Sequence, residues 1–183
     1  SRHFQIYGEI LHAEPLKIGH INETYTATYD QGGMRVRYIH QKLNRTVFKN
    51  PAGVMKNIMR VTGHLRKKLE AAQVRDVTRR SLIVIPTRDG RSYLENGNHD
   101  VWRTFVYVEG VNTHEAVQTP AQAFQAGRAF GEFQHLLVDL PGSRLQVAAE
   151  RPGANLNALF TESRRDPLSG NAVLSGVAVE MEP

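Results

Sequence analysis

The sequence predicts an α+β fold in which a small antiparallel sheet packs against one long helix. Residues 23–29 are dense in β-forming side chains, and Asp30-Gln-Gly-Gly33 provides a turn before a second β-rich run, Met34 to Leu43. Apolar residues then recur at helical spacing after Asn50-Pro51. These features predict a hairpin followed by an amphipathic helix, and later strands are expected to complete the sheet.

The segment ahead of the hairpin is ambiguous. Residues 4–12 interleave polar and apolar side chains without a clean period of two or of 3.6, so a short helix and a strand both fit. The second hairpin strand is clearer. Strand alternation puts Val36, Tyr38 and His40 on one face, and Arg35, Arg37 and Ile39 on the other.

The long helix carries both a start signal and an apolar stripe. Asn50 is a predicted N-cap, and Pro51 suits the first helical turn. The stripe, at steps of three and four, consists of Val54, Ile58, Val61, Leu65 and Leu69. The outer face is basic, which is typical of a solvated helix surface.

Two further strands and a second helix are expected after the long helix. The apolar runs Ser81–Pro86 and Val101–Val108 are the predicted strands, separated by a turn at residues 88–90 and a loop at residues 96–98. Thr119-Pro120-Ala-Gln122 predicts a capping box. The helix it opens has apolar residues along one side and is expected to end at Pro141-Gly142.

The chain divides into three predicted regions. Residues 1–111 contain the sheet and the long helix, residues 112–145 form a linker and the second helix, and residues 146–183 form an irregular tail. The tail is rich in Ala, Gly, Asn, Ser and Arg and has weak periodicity, so little regular structure is expected there.

Composition narrows the function classes. The net charge of +5 favours anionic partners, but a basic stripe on one amphipathic helix, without stacking aromatics or a known motif, disfavours a nucleic-acid partner. The absence of cysteine excludes disulfides, thiolate metal sites and a cysteine nucleophile. No apolar run approaches the roughly 20 residues of a membrane span, so we expect a cytoplasmic protein without a membrane partner.

Residues 17–25 are the segment best suited to bind an anion. Gly19 permits a tight turn and close approach of a ligand to the backbone. Peptide N–H groups there, with the side chains of His20, Asn22 and Thr24, could line a phosphate oxygen. The alternative is a hairpin bend that merely carries polar residues, and a single glycine does not decide between them.

Between residues 4 and 145 several blocks follow one another: residues 19–25, 37–44, 47–48, 57–65, 85–87, 89–90, 102–103 and 126–134. In this order they resemble the N-acetylhexosamine 1-kinases of the aminoglycoside phosphotransferase superfamily. The resemblance implies a protein-kinase-like N-lobe, the first helix of the C-lobe and an activity that transfers the γ-phosphoryl group of ATP to a sugar or another small alcohol. ATP and Mg²⁺ are the implied cofactors.

The resemblance also assigns nucleotide-binding roles. The phosphate-covering hairpin falls on Gly19, His20, Ile21, Asn22 and Thr24. The following strand normally supplies a lysine to the phosphates. Here the family pattern favours Gln41 as the residue in the cleft, and Lys42 remains the alternative because neighbouring strand residues face opposite ways.

The remaining implied positions form the adenine-binding hinge and the helix beside the phosphates. Tyr107, Val108 and Glu109 follow the last strand and would serve as the hinge. The long helix corresponds to the kinase αC helix, but Asn57, Met59 and Arg60 stand at its middle, so a lysine–glutamate ion pair is not supported.

The catalytic part of the resemblance is missing. The family uses a His-x-Asp sequence with an Asn five residues later, and then an acidic motif that holds Mg²⁺. His99-Asp100 has Phe105 at the spacing of the Asn and precedes a strand, so we interpret it as a polar turn. We therefore expect a shortened kinase without phosphotransferase activity of its own and without Mg²⁺ ligands. It would expose the lobe surface that a partner lobe covers, which favours self-association. The alternative is a non-catalytic nucleotide-binding or regulatory module.

Overall fold

A mixed sheet-and-helix architecture is present in the computed structural model, which describes residues 2–17, 21–111 and 117–146. The strands are β1 Glu9–Pro15, β2 Glu23–Gln31, β3 Met34–Lys42, β4 Leu94–Glu95 and β5 Val101–Val106. They form a five-stranded antiparallel sheet in the order β1-β2-β3-β5-β4. The helices are α1 Pro51–Ala71, α2 Val77–Arg80 and α3 Pro120–Leu136. The predicted α+β class with an antiparallel sheet is confirmed.

The predicted hairpin is the β2–β3 pair. Its register closes at Gln31 and Met34, so Gly32 and Gly33 form a two-residue turn with φ values of 67° and 86°. Positive φ at both turn positions matches the twist of the strands and costs glycine nothing. The Asp30 side chain accepts a hydrogen bond of 2.7 Å from the Gly33 N–H and stabilises the turn.

The ambiguous N-terminal segment becomes an extended arm that leads into β1. Phe4 pairs with Thr87 in an isolated bridge, and Phe4 and Ile6 are both buried. Gly8 then redirects the chain at a φ of 86°, where a Cβ atom would overlap the Asp30 carbonyl oxygen. The interrupted polar–apolar pattern therefore reflects a bridge, a glycine bend and a strand in succession.

The sheet buries side chains on both of its faces. On the face that we call the helix face, Leu43, Val101 and Phe105 pack with Val54, Met55 and Ile58 of α1. On the far face, Tyr29 and Tyr38 pack with Phe4, Ile6 and Ala27. Since alternate residues of a strand point to opposite faces, Ile39 and Gln41 lie on the helix face, and Tyr38, His40 and Lys42 lie on the far face.

The start of α1 agrees with the prediction. The Asn50 side chain accepts a hydrogen bond of 2.9 Å from the Gly53 N–H, and Pro51 occupies the first turn. Pro51, Gly53, Val54, Met55, Ile58, Leu65 and Leu69 are the buried residues of the helix. A cap, a proline and one continuous apolar stripe thus explain the helix locally.

The predicted strand Ser81–Pro86 is wrong as a regular strand. It forms one bridge, Val84 to Phe105, supported by hydrogen bonds between Ile85 and Thr104 and between Val106 and Ile83. A turn at Thr87–Arg91 then interrupts the pairing, and Leu94–Glu95 takes over the same edge of β5. Two short segments, one at Val84 and one at Leu94–Glu95, therefore pair with the same edge of β5. β5 itself ends at Val106, two residues before its predicted end.

The capping box predicted for α3 is present. Thr119 Oγ1 accepts a hydrogen bond of 3.2 Å from the Gln122 N–H, and the Gln122 side chain accepts one of 3.1 Å from the Thr119 N–H. The helix ends at Leu136, before the predicted Pro141-Gly142. No helix in the described parts of the chain could cross a membrane. The predicted tail from residue 147 onwards lies outside the described residues.

Candidate functional site

Three rows of directly opposed residues cross β2, β3 and the end of β5 on the helix face. The rows are Thr24–Gln41–Arg103, then Thr26–Ile39–Phe105, then Thr28–Arg37–Tyr107. The first row lies next to the β1–β2 connection, and the third lies where β5 ends. The sheet register therefore brings one polar group of predicted site residues and the start of the predicted hinge onto one surface.

The first row is a continuous hydrogen-bonded chain. Arg103 donates to Gln41 Oε1 from Nε at 2.9 Å and from Nη2 at 2.6 Å. Gln41 Nε2 in turn donates to Thr24 Oγ1 at 3.0 Å. The chain links β5, β3 and β2 through their side chains, and two of its members, Thr24 and Gln41, were predicted as binding residues.

Arg103 is the site residue that the sequence interpretation missed. Its side chain is 1% exposed, and its guanidinium carbon lies 5.2 Å from the centre of the Phe105 ring. Buried arginine is rare unless it is paired. The signal was a charged residue inside the apolar strand Val101-Trp-Arg-Thr-Phe-Val106, which required a buried polar partner. The identity of that partner, Gln41, depends on the β3–β5 register.

Lys42, the alternative to Gln41, lies on the far face. Its Nζ is 3.1 Å from Glu23 and 3.3 Å from Asp100, and the hydrogen bonds to these two carboxylates raise its pKa, that to Glu23 most. The same contact with Lys42 and, more strongly, a hydrogen bond from Asn96 lower the pKa of Asp100. Lys42 is thus a paired cation on the opposite side of the sheet from Gln41.

Ile21 and Asn22, at the end of the β1–β2 connection, make structural contacts. Ile21 packs against the helix-face core, and Asn22 Oδ1 accepts a hydrogen bond of 2.9 Å from the Asn44 N–H. These two side chains attach the connection to the end of β3. Gly19 and His20 lie outside the described residues.

The predicted hinge is held by two arginines. Arg37 donates to both carboxylate oxygens of Glu109, with a distance of 2.7 Å from Nε to Oε1, and its guanidinium lies 4.0 Å from the centre of the Tyr107 ring. The hydrogen bond from Arg37 lowers the pKa of Glu109. Arg79 of α2 donates to the Glu109 and Gly110 carbonyl oxygens. Val108, between the anchored residues, is half-buried.

A separate open cavity of about 410 Å³ lies at the end of the sheet. Its lining residues are Ile21, Asn22, Glu23, Lys42, Leu43, Asn44, Arg45, Asn98, His99 and Asp100. Within this lining Lys42 is paired with Glu23 and Asp100, whereas Arg45 is paired with Glu95 outside it. The cavity therefore gathers three predicted residues outside the rows, Ile21, Asn22 and Lys42. Val108 and Glu109 do not line it.

Within the described ranges, no three His, Asp or Glu side chains are grouped so that they could hold a metal ion. No family model matches the chain.

Proposed function

We propose that the sheet and α1 form the ATP-binding lobe of a small-molecule kinase of the aminoglycoside phosphotransferase type. The observation that carries the proposal is the helix-face surface, on which a polar row with a buried guanidinium and a row with an aromatic hinge residue flank the row that contains Ile39 and Phe105. ATP has the same division, with charged phosphates at one end and a flat apolar base at the other.

The order of elements along the chain supports this proposal. In protein kinases a phosphate-covering loop precedes the β3 strand, whose lysine contacts the phosphates, and the αC helix follows. Here the β1–β2 connection precedes β3, β3 carries Gln41 on the helix face, and α1 follows directly. The replacement of the lysine by a glutamine bonded to Arg103 is the main departure from that pattern.

The spacing of the rows also supports an elongated ligand. Gln41 and Arg37 lie four positions apart on β3, which corresponds to about 13 Å along the strand. The base is proposed to lie near Tyr107 and Val108, and the phosphates near Thr24 and Gln41. Ile39, which packs with the helix-face core, would contact the ribose from the row between them.

The proposed acceptor of the phosphoryl group is an N-acetylhexosamine or another small alcohol. This part of the proposal depends on the resemblance alone. Because the sequence contains no His-x-Asp loop with a correctly spaced Asn, we expect these 183 residues to bind nucleotide without transferring phosphate. Sugar-dependent release of ADP by the purified chain would contradict that expectation and would separate a kinase from a non-catalytic module.

Calorimetric titration of the full chain with ATP, ADP and adenosine tests the nucleotide proposal. We expect all three to bind, with the two nucleotides bound more tightly. Arg37→Ala removes the contacts of Arg37 with Glu109 and Tyr107. It should therefore weaken the binding of adenosine and the binding of ATP by the same factor. Arg35→Ala, an exposed arginine at the hairpin end of the same strand, is the matched control. If the unmodified chain binds neither adenosine nor nucleotides, the proposal is wrong.

A further inference from the structure

The Arg103–Gln41–Thr24 chain has a fixed direction. A guanidinium can only donate hydrogen bonds, so the Gln41 atom that faces Arg103 must be the amide oxygen. The amide nitrogen must then face Thr24, and a side-chain amide nitrogen also only donates. The Thr24 oxygen is therefore the acceptor in this contact, and its own hydrogen must point elsewhere.

The Thr24 hydroxyl hydrogen is consequently a directed donor. No acceptor for it lies within residues 2–17, 21–111 and 117–146, whereas the Thr24 backbone is paired through its carbonyl with the Leu16 N–H at 2.8 Å. Thr24 is half-buried and is the second residue of β2, directly after the β1–β2 connection. Hydrogen bonds in such a chain polarise one another, so the buried positive charge of Arg103 strengthens the donor at its far end.

We infer that Arg103 and Gln41 are positioning residues that present the Thr24 hydroxyl to a phosphate oxygen of the bound nucleotide. The inference rests on the proposed function and adds the group that contacts the phosphate and the groups that orient it. Arg103 acts here through Gln41, so the guanidinium can contribute while it stays buried. An anion is the favoured ligand because the chain ends in a donor and has a positive charge at its start.

Replacing Gln41 by glutamate reverses the direction at Thr24. A carboxylate accepts hydrogen bonds from both neighbours, so Thr24 would donate to residue 41 instead of to a ligand. Arg103 would gain an ion pair, and the fold should be at least as stable as before. Gln41→Glu should therefore keep or raise the midpoint of thermal unfolding while it weakens phosphate-dependent binding.

The experiment measures the ratio of the ADP affinity to the adenosine affinity in the full chain, which isolates the contribution of the phosphates. Thr24→Val should lower the ratio by roughly 10- to 100-fold, as expected for the loss of a hydrogen bond to a charged group. Thr24→Ser retains a hydroxyl at this position, so the ratio should stay unchanged. Tyr25→Phe, which removes a hydroxyl from the adjacent far-face residue, is the matched control and should not change it.

A double-mutant cycle separates orientation from charge. If Gln41 acts through Thr24, then Gln41→Glu should lower the ratio much less in a Thr24→Val background than in the unmodified chain. Equal effects in both backgrounds, or an unchanged ratio in Thr24→Val, would overturn the inference.

Pyrophosphate separates this inference from the proposed function. If the unmodified chain binds pyrophosphate through Thr24 but does not bind adenosine, the directed donor is supported and the ATP proposal fails. If it binds ADP and Thr24→Val binds ADP equally well, the ATP proposal survives and the inference fails. If the unmodified chain binds neither pyrophosphate nor ADP, both the ATP proposal and the inference about Thr24 are wrong.

Discussion

Three consecutive residues at the end of β3 have three different electrostatic environments. His40 is enclosed on the far face, where Nδ1 is 2.9 Å from Thr104 Oγ1 and Nε2 is 3.3 Å from the Tyr29 hydroxyl. Gln41 lies on the helix face and joins Arg103 to Thr24. Lys42 is again on the far face, but it is partly exposed and paired with two carboxylates. Strand alternation and the end of the sheet together produce these differences.

The environment of His40 predicts a pH-dependent stability. Burial lowers its pKa from the usual 6.5 to about 4, so the folded state holds the neutral ring while the unfolded state takes up a proton below pH 6.5. The stabilisation is complete above pH 6.5 and is lost as the pH falls towards 4. The free energy of unfolding should fall by about 3 kcal/mol over this range, at about 1.4 kcal/mol per pH unit.

Urea unfolding between pH 7 and pH 5 measures this effect. In this interval the carboxylates with lowered pKa values, such as Asp89 and Asp100, are ionised in both folded and unfolded states and contribute little. His40→Gln should flatten the pH dependence, although it will lower the stability at pH 7. A variant that keeps the slope of the unmodified chain would show that another group takes up the proton.

The position of Lys42 predicts that it does not contribute to nucleotide binding. Its ammonium group is paired on the far face, opposite to Gln41 and Thr24. Lys42→Met should therefore leave the affinities for ATP and ADP unchanged in calorimetric titration. A selective loss of ADP affinity relative to adenosine would instead identify Lys42 as a phosphate ligand and would contradict the assignment of the site to the helix face.

At the scale of elements, local signals explain what the sequence predicted well. The β2–β3 hairpin has two glycines at positive φ, α1 begins with a cap and a proline, and α3 begins with a full capping box. Each signal lies within a few residues of the feature that it determines. Ser81–Pro86 was predicted less well because its pairing depends on β5, about twenty residues away, whose edge it shares with β4. Its apolar residues indicate burial but not regular pairing.

The residues of the candidate site also differ in whether a local signal in the sequence indicates them or only the pairing of distant strands does. Thr24 was predicted as a binding residue because its segment carries polar residues beside a glycine, and Gln41 was predicted from the resemblance. Both binding roles remain predictions. Arg103 was missed because nothing near it in the sequence names its partner, which lies 62 residues away on β3. The faces on which Gln41 and Lys42 lie also depend on the sheet, since only the packing of α1 distinguishes the two faces.

The N-cap of α1 offers a test at this scale. Asn50→Ala removes the acceptor of the Gly53 N–H, and we expect the free energy of unfolding to fall by about 1 kcal/mol. Asn50→Asp keeps an acceptor at the cap but loses the 3.2 Å donation to Gln146, so comparison of the two variants in urea unfolding separates these contacts. Equal losses in both variants would assign the effect to the contact with Gln146.

At the scale of the whole molecule, the segment after α3 is attached to α1 mainly through polar contacts. Asn57 exchanges two hydrogen bonds with the Gln146 backbone, at 2.8 and 3.0 Å, and Arg60 donates to the Pro141 carbonyl at 3.0 Å. Asp139 accepts from Lys68 and lies 3.2 Å from His64 Nε2. Asn57 and Arg60, at the middle of α1, therefore hold this segment.

The helix α3 itself differs from α1 in burial, and this difference predicts a difference in local stability. α1 buries seven residues, whereas α3 buries none within the described structure, and Phe124 is 68% exposed. An isolated helix of this length is only marginally stable in water, so its hydrogen bonds should open without unfolding of the sheet. Hydrogen–deuterium exchange followed by mass spectrometry should therefore label peptides from α3 well before peptides from α1 and β3.

Equal protection of α3 and α1 would mean that another surface, such as a second copy of the chain, covers Phe124. Dilution of the sample distinguishes these cases, because protection by a second copy decreases with concentration, whereas protection within one chain does not.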